Sequence, residues 1–205
     1  MSLLRVYAAA LFLAFPSAVV TAGPGETSSN VGLADLARVH IDNFGRVNAN
    51  YYRGAQPQGR DYADLAALGV KTVINLTSHD AEPDERAVAE KAGMAYRQIP
   101  MTTRNAPTPE QLAEFLTIVN EPANQPVFVH CIGGKHRTGV MTAAYRMTQD
   151  RWTADQAFKE MKQYKFGADF LHPEFKAYVY KYPDALTRIA AGGAGATAAK
   201  TASQR

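Results

Sequence analysis

Pro126-Val127-Phe128-Val129-His130-Cys131-Ile132-Gly133-Gly134-Lys135-His136-Arg137-Thr138-Gly139 is the stretch around which the chain is organised, and it holds the protein's only cysteine. Its first four residues are apolar and carry two β-branched valines, the composition of a short buried strand. Its end runs into a helix-forming sequence from Thr138 to Met147. A strand, a glycine-bearing turn and a helix in that order aim backbone N–H groups and the positive end of a helix dipole at one point. Cys131 stands at that point, with five residues between it and Arg137. The helix N-terminus, the turn amides and a permanent cation all favour the thiolate. A turn with inward amides, closed by a planar guanidinium fork, is also a cradle for a tetrahedral oxyanion such as phosphate.

A nucleophile inside a phosphate cradle points to phosphoryl transfer through a cysteinyl-phosphate. Cys131 is then the nucleophile and Arg137 the bidentate clamp, with substrate held along Ile132, Gly133, Gly134, Lys135, His136 and Arg137. Gly133, Gly134 and Gly139 let the chain bend or approach a ligand without a Cβ. Thr138 is placed to donate its hydroxyl to the sulfur as water attacks the intermediate. The competing view, a buried structural cysteine beside a surface arginine, leaves the glycines and the Lys135-His136 pair unexplained.

These residues resemble the signature of the cysteine-dependent tyrosine and dual-specificity phosphatases, a Cys and an Arg separated by five residues with Ser or Thr after the Arg. Gly134-Lys135-His136-Arg137-Thr138-Gly139 is especially similar to the compact, atypical dual-specificity branch of plants, fungi and bacteria. Tyr52-Arg53-Gly54-Ala55-Gln56-Pro57 and Lys71-Thr72-Val73-Ile74-Asn75-Leu76 resemble that branch's opening strand segments, so the likeness runs roughly from Asn50 to Tyr180. It implies a single-domain α/β cysteine-phosphatase fold, a mostly parallel central sheet flanked by helices. His130 is expected to orient the nucleophile loop and tune the thiolate. Arg53 is open between supporting the active-site loops and a surface ion pair.

In the resembled family a loop Asp usually protonates the departing oxygen. The corresponding loop here, Met101-Thr102-Thr103-Arg104-Asn105-Ala106-Pro107-Thr108, has no carboxylate. Asp80, Glu82 and Glu110 are the alternative donors. The other readings are a leaving group stable enough to need no acid, as in a phosphoanhydride, or a binder that has lost turnover; an acid of this kind contributes about 10² to 10⁴ in rate. Lys135 and His136 lean toward the rim of the site and keep an inositol phosphate or pyrophosphate substrate in view beside phosphotyrosine, phosphoserine or phosphothreonine.

A chain of 205 residues suits one domain with a proper core. A formal charge of +3 is only mildly basic, so attraction for an anion must be local to the cradle. No basic stripe with interleaved aromatics suggests nucleic acid. The five histidines, His40, His79, His130, His136 and His172, show no ligand spacing with cysteine or each other, so neither metal nor cofactor is expected. The partner is a phosphorylated protein or a small phosphorylated metabolite.

Residues 1–22 read as a signal peptide, with Arg5 at a positive start, an apolar run from Val6 to Val20, and Val20-Thr21-Ala22 before Gly23. The run is short for a membrane span, so a periplasmic or secreted product without stable membrane insertion is expected. Residues 23–45 read as a leader, 46–185 as the catalytic domain and the Ala/Gly-rich 186–205 as a flexible tail.

Along the domain, hydrophobic period predicts an extended run from Val47 to Gly54 and helices over 61–68, 82–91, 109–119, 138–147, 153–162 and 173–180. Strands are expected over 71–76, 95–99 and 126–129. Strands alternating with helices imply a mostly parallel sheet covered on both faces. Ligand loops gather at the carboxyl ends of such strands, which brings together 77–83, 101–108 and the cradle.

Overall fold

The computed structural model describes residues 33–78 and 83–182. The proposed signal peptide, the proposed tail, His79, Asp80 and Glu82 lie outside the described residues.

The apolar run Val127–His130 forms strand β5, buried along its whole length. It lies between β2 (Tyr51–Gly54) and β3 (Thr72–Asn75), both parallel to it. β4 (Ala95–Gln98) extends the sheet beyond β3 in parallel, and β1 (Gly45–Asn48) closes the other edge antiparallel to β2. The strand order β1-β2-β5-β3-β4 is thus mostly parallel, as its near-continuous apolar strands require when both faces are covered.

Alternation along the central strands divides the core. Tyr51, Ile74, Val127 and Val129 join Phe115, Val140, Met141, Phe158 and Phe175 on one face. Tyr52, Val73 and Phe128 join Leu65, Ala89 and Tyr96 on the other. The first face is covered by α4 (Pro109–Asn120), α5 (Arg137–Gln149), α6 (Ala154–Gln163) and α7 (Pro173–Tyr180). The second is covered by α2 (Asp61–Ala67) and α3 (Glu85–Lys91), with α1 (Leu33–Leu36) beside them. Thr108 and Thr153 each close a capping box with the Gln three positions on, which fixes where α4 and α6 begin. No helix among the described residues is long and apolar enough to cross a membrane.

The run expected as one extended segment from Val47 to Gly54 is a hairpin. The side chain of Asn48 accepts the N–H of Asn50 at 2.9 Å, a local turn bond that competes with continued extension. Part of the stretch expected as leader belongs to the folded domain. Ile41 is in the core beside Tyr52 and Phe128, and Asn43 bonds to the cradle.

Register places the site. Gly54 pairs with His130, His130 with Asn75 and Asn75 with Gln98, so four parallel strands end side by side. The loops leaving them, 131–136 among them, share one rim of the sheet.

Candidate active site

Cys131 follows the last residue of β5, and α5 begins six positions later with His136 as its N-cap residue. Cys131 is 3% exposed. It lines a pocket of about 310 Å³ together with Thr103, Ile132, Gly133, Lys135, His136 and Arg137. The thiol therefore sits at the floor of a depression whose wall is the expected cradle.

What turns the cradle amides inward is visible on its outer side. The carbonyl of Ile132 accepts the N–H of Gln56 at 3.1 Å. The carbonyl of Gly134 accepts from Arg53 Nη2 at 2.7 Å and from Asn43 Nδ2 at 2.8 Å, and Asn43 also reaches the Gly133 carbonyl at 3.4 Å. In a planar trans peptide the C=O of one residue and the N–H of the next point in opposite directions. Tying these carbonyls outward turns the N–H groups of Gly133, Gly134 and Lys135 the other way. The first N–H groups of α5 add to them, having no carbonyl partner within the helix.

Arg53 is the strongest of these supports. It is fully buried at the end of β2, and its guanidinium lies 3.9 Å from the centre of the Tyr164 ring. Burial draws its pKa down, while Tyr51, Tyr164, Glu160 and Cys131 draw it back up. A buried guanidinium stays protonated, so a permanent cation stands behind the loop. Of the two roles open for Arg53 in the sequence, the structure shows the loop support.

The three glycines are not equivalent. Gly134 has φ +61°, and a Cβ there would lie 2.4 Å from the Gly54 carbonyl carbon and oxygen. Only glycine suits that position. At Gly133 a Cβ would meet nothing nearer than the Lys135 side chain at 3.6 Å, and at Gly139 only Met161 at 3.5 Å.

Arg137 is buried, lines the pocket and donates from Nη1 to the Met101 carbonyl at 3.2 Å, joining the cradle to loop 101–108. Lys135 is half-buried on the pocket wall. His136 turns partly away: a ring nitrogen contacts the Phe166 carbonyl at 2.9 Å, and its ring centre lies 3.8 Å from that of His172. Burial draws its pKa below the usual histidine value. His172, Lys135 and Arg137 act in the same direction, against the Phe166 carbonyl. His136 thus stands in the pocket wall and packs against Phe166 and His172 at the same time. Thr138 is fully buried, and its hydroxyl makes no hydrogen bond among the described residues. The expected Thr138 bond to the sulfur is accordingly not made in this arrangement.

His130, ahead of the cysteine, is completely buried, stacks on Phe128 and brings Nε2 to 2.8 Å from Glu85 Oε1. Glu85 also accepts from Asn75, Tyr62 and Tyr96. Burial raises its pKa, but bonds to His130 and to the Gln56 and Asn75 amides outweigh that and leave it lowered. The Tyr96 phenol beside it is pushed up to about 12, first by its own burial and then by the Glu85 charge. In the sequence Glu85 has no role beyond the helix predicted over 82–91. The missed signal was the i, i+4 spacing of Glu85 to buried Ala89, which puts the carboxylate on the face turned to the sheet.

Of the alternative proton donors, Glu110 is exposed in the first turn of α4 and does not line the pocket. Its own backbone N–H and Thr108 hold its carboxyl below the usual range, the wrong direction for a proton donor. Arg104 is likewise exposed and away from the pocket lining.

The chain is similar in sequence and fold to known proteins. The family model described as a DSP-PTPase phosphatase fused to NAD+ kinase matches residues 29–175. Inositol diphosphatase SIW14 of Saccharomyces cerevisiae is 28% identical over 130 residues, 61% of this chain and 46% of that protein. Dual specificity protein phosphatase TpbA of Pseudomonas aeruginosa is 29% identical over 137 residues, 67% of this chain and 61% of that protein. The chain thus spans less than two thirds of either relative. The SIW14 catalytic core superposes with a TM-score of 0.62 at 27% identity, covering 75% of this chain and 93% of that one. TpbA bound to phosphotyrosine superposes with a TM-score of 0.61 at 27% identity, covering 72% of this chain and 90% of that one. With the Cys131–Arg137 cradle at the carboxyl end of a parallel sheet, the chain belongs to the atypical cysteine-dependent dual-specificity phosphatase family.

Proposed function

We propose that this chain is an exported phosphatase that hydrolyses aryl phosphate monoesters, phosphotyrosine foremost, through a cysteinyl-phosphate. The observation that carries the reading is the outward tethering of the Ile132, Gly133 and Gly134 carbonyls by Gln56, Asn43 and Arg53, which turns the next amides toward the pocket floored by Cys131. A dianionic phosphate seated there meets the amides and Arg137. The sulfur attacks phosphorus, the P–O ester bond breaks, and the departing oxygen takes a proton from water. Water then attacks the thiophosphate, releasing inorganic phosphate and restoring the thiolate. Fixed amides aimed at the charge of the transition state are the chief catalytic resource of such a site.

The leaving group favours tyrosine. No carboxylate lines the pocket among the described residues. A phenol with a pKa of about 10 departs with far less help than an aliphatic alcohol. Export rests on the sequence of residues 1–22 and is tested by the N-terminal sequence of the protein recovered from the periplasm or medium.

A second reading, hydrolysis of an inositol pyrophosphate, is supported by the relative named an inositol diphosphatase and by Lys135 on the pocket wall. The phosphate expelled from an anhydride also needs little acid.

The experiment is steady-state turnover of an aryl phosphate, a phosphotyrosine peptide and an inositol pyrophosphate by the unmutated protein and by Cys131→Ser. The serine variant is expected to lose turnover on the order of 10⁴-fold or more while still binding the phosphotyrosine peptide. Binding without turnover by the unmutated protein would instead identify a phosphate-ligand binder. Faster turnover of the pyrophosphate would establish the second reading.

A further inference from the structure

The pocket has two walls, and one imidazole touches both. On the cradle side His136 lines it, and from loop 101–108 the lining residue is Thr103. His172, the residue before α7, brings Nδ1 to 3.1 Å from the Thr103 carbonyl and its ring centre to 3.8 Å from that of His136. Thr103 and His172 are 69 residues apart in the chain.

The surroundings of that nitrogen fix where its hydrogen lies. Nδ1 is also 3.3 Å from Glu174 Oε1. A carbonyl and a carboxylate only accept, so Nδ1 must carry the hydrogen and donate it between them. The ring has little room to turn. It stacks on Phe175 with 5.8 Å between centres and meets the edge of Phe166 at 6.2 Å, and both phenylalanines are fully buried. The position serves this contact rather than the helix. His172 is the N-cap residue of α7, where Ser, Thr, Asp or Asn would accept from the first free N–H groups, and its side chain makes no such bond.

Loop 101–108 depends on it. Thr102 to Asn105 are exposed, and the Arg104 N–H turns back on Thr102 Oγ1 within the loop. The Met101 carbonyl on Arg137 holds the loop's start, and the Thr108 capping box holds its end. Between them, among the described residues, the hydrogen bond from His172 is what ties the exposed tip to another element.

We propose that His172 is a positioning residue of this reaction: by holding Thr103 at a set distance from the cradle, it fixes the gap through which the group esterified to phosphate leaves the pocket. The inference rests on the phosphatase reading above and adds to it a residue far outside the Cys131–Arg137 stretch. Phosphate itself meets the amides and Arg137, so the latch acts on what the phosphate carries.

The test uses the full chain and two variants. His172→Phe keeps a ring against Phe166 and Phe175 but has no N–H, whereas His172→Asn loses the ring and keeps a donor on the atom that replaces Nδ1. On a phosphotyrosine peptide the phenylalanine variant is expected to raise KM about fivefold, the share of one hydrogen bond, with kcat within about twofold. The asparagine variant should return KM to within about twofold of the unmutated value. Inhibition by inorganic phosphate, which has no ester group to pass Thr103, should be the same in all three proteins. A merely structural role would reverse the order, since phenylalanine preserves the packing and asparagine does not. An unchanged KM in the phenylalanine variant, equal KM in the two variants, or phosphate inhibition that weakens in step with KM overturns the proposal.

Trypsin gives a readout without turnover. Arg104 stands in the exposed tip, and cleavage after it follows the population of the opened loop. The phenylalanine variant should be cut there about fivefold faster than the unmutated and asparagine proteins, and equal rates overturn the latch. If the unmutated protein turns over no phosphate ester, the phosphatase reading fails, while cleavage at Arg104 still decides whether His172 holds the loop.

Discussion

Loops 131–136 and 101–108 meet over Cys131 from the same rim of the sheet, yet they are held in opposite ways. In the first, the carbonyls of Ile132, Gly133 and Gly134 bond to three residues from two segments: Asn43, and Arg53 with Gln56. In the second, Thr102 to Asn105 are exposed. Its tethers to the rest of the protein include the Met101 carbonyl on Arg137 and the Thr103 carbonyl on His172 Nδ1 at 3.1 Å. Phosphate recognition thus rests on backbone set before substrate arrives, where preorganised dipoles cost no reorganisation. The leaving-group side is shaped by few bonds, and loops of that kind open at low free-energy cost.

The hardest blow to this contrast is a methyl group on the rigid side. Gly134→Ala would force a Cβ into the Gly54 backbone at 2.4 Å from a residue at φ +61°. The carbonyl held by Arg53 and Asn43 must then move. We expect kcat/KM on an aryl phosphate to fall about 10³-fold, the loss of at least one oxyanion donor, with a lowered Tm. Gly133→Ala, whose Cβ meets only a flexible lysine, should stay within about tenfold. Equal losses at both positions would show that the cradle is not fixed through Gly134.

A smaller effect is expected one layer below. Glu85→Gln keeps the shape but removes the charge facing His130 and leaves a donor where Tyr62, Tyr96 and Asn75 all donate. Denaturant unfolding at pH 7 should show a loss of about 1–3 kcal/mol. The folded carboxyl titrates below its ordinary value, which is about 4.3 in an unfolded chain. Its contribution is therefore fully present above that value and lost as pH falls through the lower folded one. The gap between unmutated and variant protein should narrow as pH is lowered from 5 to 3. A gap constant over that range would mean that Glu85 acts by shape alone.

The same contrast governs what the sequence made legible. Cys131, Arg137 and the strand and helix on either side were readable because local pattern dictates them: Val127–Val129 as an apolar run, and the five-residue, glycine-bearing spacing that leads into the helix. The supports of the cradle were not, because each is a long-range contact. Asn43 lies 91 residues from Gly134 and Arg53 lies 81 from it, and no period or spacing announces such a pairing. The second engagement of His136 was hidden for the same reason, since the Phe166 carbonyl and His172 that engage it come from beyond α6. Polar residues in β2 and α3 that break an apolar pattern, Arg53 and Glu85, were the available clue. In a buried strand or on a buried helix face a charge must be paired or stacked, and both of these serve the active-site loop.

The smallest expected effect belongs to the loosely held loop. Arg104 is exposed, forms no ion pair among the described residues and lies outside the pocket lining. Surface charges at such positions interact through water and salt, with free energies of about 0–1 kcal/mol. Arg104→Ala is therefore expected to change kcat/KM on a phosphotyrosine peptide by less than about fivefold, and any change should shrink as salt is raised. On a small aryl phosphate it should do nothing measurable. A loss beyond tenfold that persists at high salt would mean that the loop closes over bound phosphate and brings this guanidinium to it. The asymmetry between the two loops would then describe the open enzyme alone, with the leaving-group side completed only when substrate binds.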